Sequence, residues 1–113
     1  MITRIIPALM ALVLATPAAA QTAMSCAAFW AAAADVRRIY RGLYDSPEPA
    51  ETLAEKFRAL ARENGLSNDE IARLIARDRA DFRLLHRAYL AGDPQSTALH
   101  DRFAQGCAEL LGD

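Results

Sequence analysis

The stretch Asn64-Gly65-Leu66-Ser67-Asn68-Asp69-Glu70-Ile71 carries the end of one helix and the beginning of the next. Gly65 can take the left-handed conformation that closes a helix. Ser67 and Glu70 have the spacing of a capping box, in which the hydroxyl accepts from the Glu70 amide and the carboxylate accepts from the Ser67 amide. Leu66 before the cap and Ile71 after it are spaced for a hydrophobic staple. Two helices joined by so short a turn are expected to lie side by side in opposite directions.

Upstream, Ala50, Leu53, Phe57 and Leu60 form the seam of the helix that Gly65 closes, and Ser46-Pro47-Glu48-Pro49 opens it, proline being tolerated in a first turn. Before it, Cys26, Phe29, Ala33, Val36, Tyr40 and Leu43 recur at steps of three and four, one face of a first helix. Ser25 is its expected N-cap, with Asp35, Arg38 and Arg41 on the outer side. Downstream, Leu74, Ile75, Phe82, Leu85 and Tyr89 continue a long third helix to Gly92-Asp93-Pro94. There Asp93 caps a fourth helix, Pro94 is its first residue, and Leu99, Phe103, Cys107 and Leu110 are its seam. No segment alternates as a strand would. The expectation is an all-α fold, a single small four-helix bundle in up-down-up-down order. That order places the start of the first helix and the end of the fourth together, so Cys26 and Cys107 should form one disulfide, with Gly106 easing the approach of the backbones.

Of the 113 residues, 53% are apolar, but the first 20 residues hold a disproportionate share. Met1 to Arg4 carries one positive charge, Ile5 to Ala15 is almost wholly apolar, and Thr16-Pro17-Ala18-Ala19-Ala20 ends in small residues before Gln21. These are the three regions of a secretory signal peptide, so residues 1–20 are expected to be removed and residues 21–113 to form the domain. The apolar run is too short to span a bilayer, and no membrane span is expected after processing. Arginine outnumbers lysine 12 to 1 and alanine contributes 25 residues, a usage common in GC-rich bacterial genomes. The destination is read as the periplasm or the medium, where two cysteines and no third thiol fit a structural disulfide.

The formal charge of −1 disfavours nucleic-acid binding. The cysteine spacing holds no CxxC redox pair, haem attachment or zinc site, and no metal or cofactor is expected. A haem ligated by Met24 and His100 fails because the two stand at different heights in the bundle. His86 and His100 are expected to be surface or flanking residues. No nucleophile, base and orienting acid can be assembled, which argues against an enzyme. Arg79, Arg83 and Arg87 stand at successive i+4 positions on the third helix, where like charges repel. Glu48, Glu51, Glu55 or Asp101 are expected to compensate them, or else the stripe receives an anionic ligand or partner. Asp78, close to the apolar seam between Ile75 and Phe82, is either bridged to an arginine or a protonation switch that loosens the bundle in acid.

The order of cysteine, capped hairpin with Gly65-Leu66-Ser67 and Glu70-Ile71, an Arg- and Asp-rich third helix ending Tyr89-Leu90, and a late cysteine resembles a group of small secreted Gram-negative proteins whose domain has no assigned function. The resemblance implies an exported helical protein and no catalytic residues. Length, signal segment and paired cysteines are also similar to small acid-activated periplasmic chaperones. Two functions are therefore expected: a binding or interaction module, including an inhibitor or immunity protein for an envelope partner, or a chaperone whose bundle opens in acid.

Overall fold

The computed structural model describes residues 18–112, and the export segment expected over residues 1–20 lies outside them apart from 18–20. Four helices follow one another: α1 (Ala18–Ile39), α2 (Glu48–Glu63), α3 (Asn68–Leu90) and α4 (Pro94–Leu110). The fold is an all-α bundle, with no strand among the described residues. α1 differs at its start from the sequence reading. Ser25 lies inside the helix, because the alanine-rich residues around Gln21 continue it back to Ala18 and no cap is needed at Ser25.

The punctuation behaves as its chemistry requires. Gly65 has a φ of 97°, its amide donates to the Arg62 carbonyl at 3.0 Å, and the Leu66 amide donates to the Ala61 carbonyl at 3.2 Å. That pair of bonds satisfies carbonyls that the end of α2 would otherwise orphan. The Ser67 hydroxyl accepts from the Glu70 amide at 3.1 Å, and the Glu70 carboxylate accepts from the Ser67 amide at 3.0 Å. The same device closes α3, where the Gly92 amide donates to Tyr89 and the Asp93 amide to Ala88. Asp93 then serves twice, since its carboxylate accepts from the Ser96 amide at 2.8 Å and caps α4.

α1 is the hub of the bundle. It packs against α2, α3 and α4, with its largest contacts to α2 and α3. From Ala23 to Val36 it is buried at almost every position, and Ala27, Ala28, Ala31, Ala32, Ala33 and Ala34 supply most of that surface. A helix covered on so many sides needs small side chains if its neighbours are to approach closely. The largest side chains that are completely enclosed are few: Phe29, Val36 and Phe57, with the two cysteines. Contacts run in opposite senses along α1 and α2, Arg38 meeting Glu51 while Trp30 shares a crevice with Phe57. They also run in opposite senses along α1 and α4, where Cys26 is bonded to Cys107 and Phe29 stacks on Phe103 with ring centroids 4.9 Å apart. An up-down order requires these senses.

Three expectations change. α2 and α3, consecutive in the chain, meet over little beyond their turn, because α1 fills the space that a direct pairing would occupy. Tyr40, Leu43 and Leu99 are exposed, not part of a seam. Gly106 is not required by the disulfide, since a Cβ there would meet nothing within 4 Å.

The Cys26–Cys107 disulfide joins the first part of α1 to the last turns of α4 across 81 residues of chain, and the cysteines are buried in the main apolar cluster with Met24, Phe57, Ile71 and Ile75. The chain-entropy argument gives roughly 4.5 kcal/mol for a loop of that length, and strain or residual unfolded structure commonly reduces the gain. Replacing both cysteines by serine should lower the melting temperature by at least about 10 °C while leaving the helical circular dichroism signal in place at low temperature. Thiol titration of the native protein should find no reactive thiol until it is reduced.

Candidate functional site

Asp35 stands in an apolar run of α1 between Ala34 and Val36, and helical spacing turns it towards α3, not outwards. Arg79 grips it with both ends of its fork, Nε donating to Oδ2 at 2.6 Å and an η nitrogen donating to Oδ1 at 2.8 Å. Arg83 adds its Nε at 3.2 Å from Oδ2, and Arg38 donates to Oδ1 at 3.2 Å. Burial pushes the Asp35 carboxyl up, but the Arg79 hydrogen bonds and the charges of Arg79, Arg83 and Arg38 outweigh it, and the net shift is downward. One carboxylate thus holds three guanidinium groups, so the node keeps an excess of positive charge.

This geometry corrects the expected partners of the arginine stripe. Arg79 and Arg83 are compensated by Asp35 of α1, whereas Glu48, Glu51, Glu55 and Asp101 do not pair with them among the described residues. Arg87 is exposed and forms no ion pair among the described residues, so the three arginines do not act as one stripe. Asp78 is held by Arg77 through two hydrogen bonds of 2.9 and 3.0 Å. Those bonds lower its carboxyl below the usual carboxylate range. Its protonation would release only a neighbour on the same helix, which gives it no grip on the bundle.

Because α2 and α3 stand apart, a furrow runs between them with α1 as its floor. A depression of about 450 Å³ at one end is lined by Arg58 and Arg62 of α2, Arg79 and Arg83 of α3, and Ile71, Ala72, Ile75 and Ala76. A second, of about 280 Å³, shares Arg58 and Arg79 with the first and reaches Ala31 and Ala34 of α1. A third, of about 370 Å³, shares Arg79 and Arg83 and ends at Ile39. Arg79 borders all three, and each is lined by arginine side chains beside alanine or isoleucine.

Beyond Ile39 the end of α1 and the turn after it expose Ile39, Tyr40, Leu43 and Tyr44 at 57, 37, 73 and 44% of their surface. Tyr40 and Tyr44 pack edge to face with ring centroids 6.1 Å apart, and Gly42 at φ 84° brings the turn round. Periodicity assigns Tyr40 and Leu43 to the core face of the first helix, but that helix ends at Ile39 and both residues fall in the turn after it.

The two histidines are also not flanking residues. Both are buried where α1, α3 and α4 meet, with rings 5.3 Å apart. His86 Nε2 lies 2.8 Å from the Phe29 carbonyl oxygen, to which its N–H donates, and its ring lies 4.5 Å from the Phe29 ring. His100 stacks on Tyr89 at 3.6 Å, and its Nδ1 lies 3.0 Å from the Asp101 carboxylate. Burial lowers His86 to about 4, opposed by the hydrogen bond to Phe29 and assisted by the nearby charges of His100 and Arg37. No protein-family model, curated protein or solved structure matches the chain.

Two outcomes follow from this arrangement. Asp35→Asn should cost about 2 kcal/mol, less than the loss of a fully buried ion-pair partner because the node is partly solvated, while Arg87→Gln should stay within about 0.5 kcal/mol; denaturant titration of the variants measures both. For His86, the unfolded chain takes up a proton as pH falls through 6.5 and the folded chain only near 4. Stability should therefore be full above that window and fall by roughly 3 kcal/mol across it. In His86→Phe this part of the pH dependence should vanish.

Proposed function

We propose that the protein is an exported binding module of the periplasm or the extracellular medium, acting by holding a protein partner and not by catalysis. The observation that carries this reading is the exposed group Ile39, Tyr40, Leu43 and Tyr44 at the end of α1, flanked by Arg38 and Arg41. Tyrosine and arginine around an apolar centre are the residue types that dominate protein interfaces. The group is contiguous in the chain and projects from the end of a helix otherwise buried, which makes it available to a partner without any rearrangement. An inhibitor or immunity protein for an envelope partner is the form of this function that a small rigid bundle with one exposed aromatic end best suits. The three-part N-terminal segment and the Cys26–Cys107 disulfide support export, because such a bond persists in oxidising compartments.

A second reading, an acid-opened chaperone, is favoured by one observation: His86 is buried and neutral beside Phe29 and His100 at the junction of three helices. Protonating it inserts a charge into that junction, and the acid dependence described for His86 bears on this reading directly.

A photoreactive phenylalanine analogue introduced at Leu43 and expressed in the producing cell tests the first reading. A discrete crosslinked species in the envelope fraction is expected at Leu43 and not at Gln105, an exposed position on α4. No adduct at Leu43, or the same adducts at both positions, would sink it.

A further inference from the structure

We propose that the furrow between α2 and α3 is a binding site for an acidic helical segment of another protein, whose carboxylates are taken by Arg58 and Arg83 on its two rims. This goes beyond the reading above, which uses other residues, and the two stand or fall by different substitutions.

Charge is the first argument. Arg38, Arg58, Arg62, Arg79 and Arg83 line the furrow against Asp35, Glu51 and Glu55, five positive groups to three negative, in a chain whose formal charge is −1. The positive charge is therefore gathered here and is not a property of the whole surface. Pairing within the furrow is also uneven. Arg79 is fixed by Asp35, and Arg62 donates to Asn68 at 2.8 Å and to Glu55 at 3.2 Å. Arg58 only approaches Glu55, at 3.6 Å, and makes no hydrogen bond among the described residues. Arg83 lies 3.2 Å from Asp35, but its Nε is turned from solvent without a hydrogen-bond partner, so the contact is a charge pair lacking the alignment of a bond. The buried Arg83 Nε cannot meet a ligand, but its side chain is 42% exposed and its η nitrogens, like the Arg58 guanidinium, make no hydrogen bond among the described residues, so one fork from each flanking helix retains donors for an incoming oxyanion.

Shape decides between anions. Ala31 and Ala34 of α1 line the bottom of the furrow, Ala72 and Ala76 are exposed on its α3 wall beside the buried Ile71 and Ile75, and α2 and α3 stand apart as the walls. A trough between two helices over small side chains accepts the apolar stripe of a third helix, with acidic residues on its flanks meeting the arginines of both rims. A flat anionic bilayer would find these arginines in a recess. The carboxylate groups already held by Arg79 and Arg62 show that guanidinium forks in this furrow take carboxylates at hydrogen-bonding distance.

The test uses the oxidised full domain and a synthetic helical peptide of roughly four turns, with alanines on one face and glutamates on both flanks, titrated by calorimetry. Binding is expected, weakening as salt is added, and absent for the same peptide with glutamines in place of glutamates. The Arg58→Gln, Arg83→Gln double variant should bind at least about tenfold more weakly, a change of about 1.4 kcal/mol, whereas Arg87→Gln should bind as the parent does. Ala76→Glu, at an exposed helical position, puts a carboxylate of the chain's own into the furrow and should also block the peptide, which keeps the test open if the double variant does not fold. Undiminished binding by the folded double variant or by Ala76→Glu overturns the proposal. Preferential binding of inorganic polyphosphate or phosphatidylglycerol vesicles over the peptide overturns it as well, in favour of those occupants.

Discussion

The alanine surface of α1 is the constraint from which the rest of the molecule follows. A helix covered by three others can be packed closely only if its side chains are small, and Ala27, Ala28 and Ala31 to Ala34 meet that condition. Small side chains bury little apolar area each, on the order of 25 cal/mol for every Å² removed from water. The chain gathers most of its aromatic rings around Phe29, which is surrounded by Trp30, Phe82, His86, His100 and Phe103. Elsewhere it relies on connections of other kinds. The disulfide fixes α4 to α1 at one end, and the Asp35 node fixes α3 to α1 further along.

The separation of α2 from α3 has the same origin. Each takes α1 as its main partner, and what they leave between them is a strip of α1 and the inner edges of their own surfaces. Arg58 and Arg62 on one side and Arg79 and Arg83 on the other keep that strip open, since four cations drawn together around two carboxylates would repel. The furrow is thus a product of hub packing and of charge, and neither alone would leave it.

What could be read in the sequence was local. Gly65, Ser67 and Glu70, like Gly92, Asp93 and Pro94, act on amides and carbonyls within a few residues of themselves, so their meaning does not depend on the rest of the fold. The cysteine pair was legible because only two exist and a bundle of four short-looped helices brings them together. Failures came wherever a residue's role depends on what covers it. Asp35 was assigned to an outer side, but a central helix has little outer side between Ala23 and Val36. Tyr40 and Leu43 keep the helical period of the buried residues, but α1 ends at Ile39 and the period carries no record of where the helix itself stops. His86 follows Phe82 by one helical turn and precedes Tyr89 by three residues, a spacing that placed it on the buried face. Composition alone makes such a histidine look solvated. The arginine stripe was visible, but its division into a bound pair and a free Arg87 is set by Asp35, 44 residues away from Arg79.

Since a chain is made from its N-terminus, Cys26 has no possible partner until α4 has been completed. With two thiols there is one intramolecular pairing and no wrong isomer to be reshuffled, so oxidation of this protein calls for an electron acceptor but not for an isomerase. The bond closes only around a chain that has reached its fourth helix. A product truncated before Cys107 is left with a lone reactive thiol, a mark by which a thiol-recognising quality-control system could distinguish it from the finished molecule.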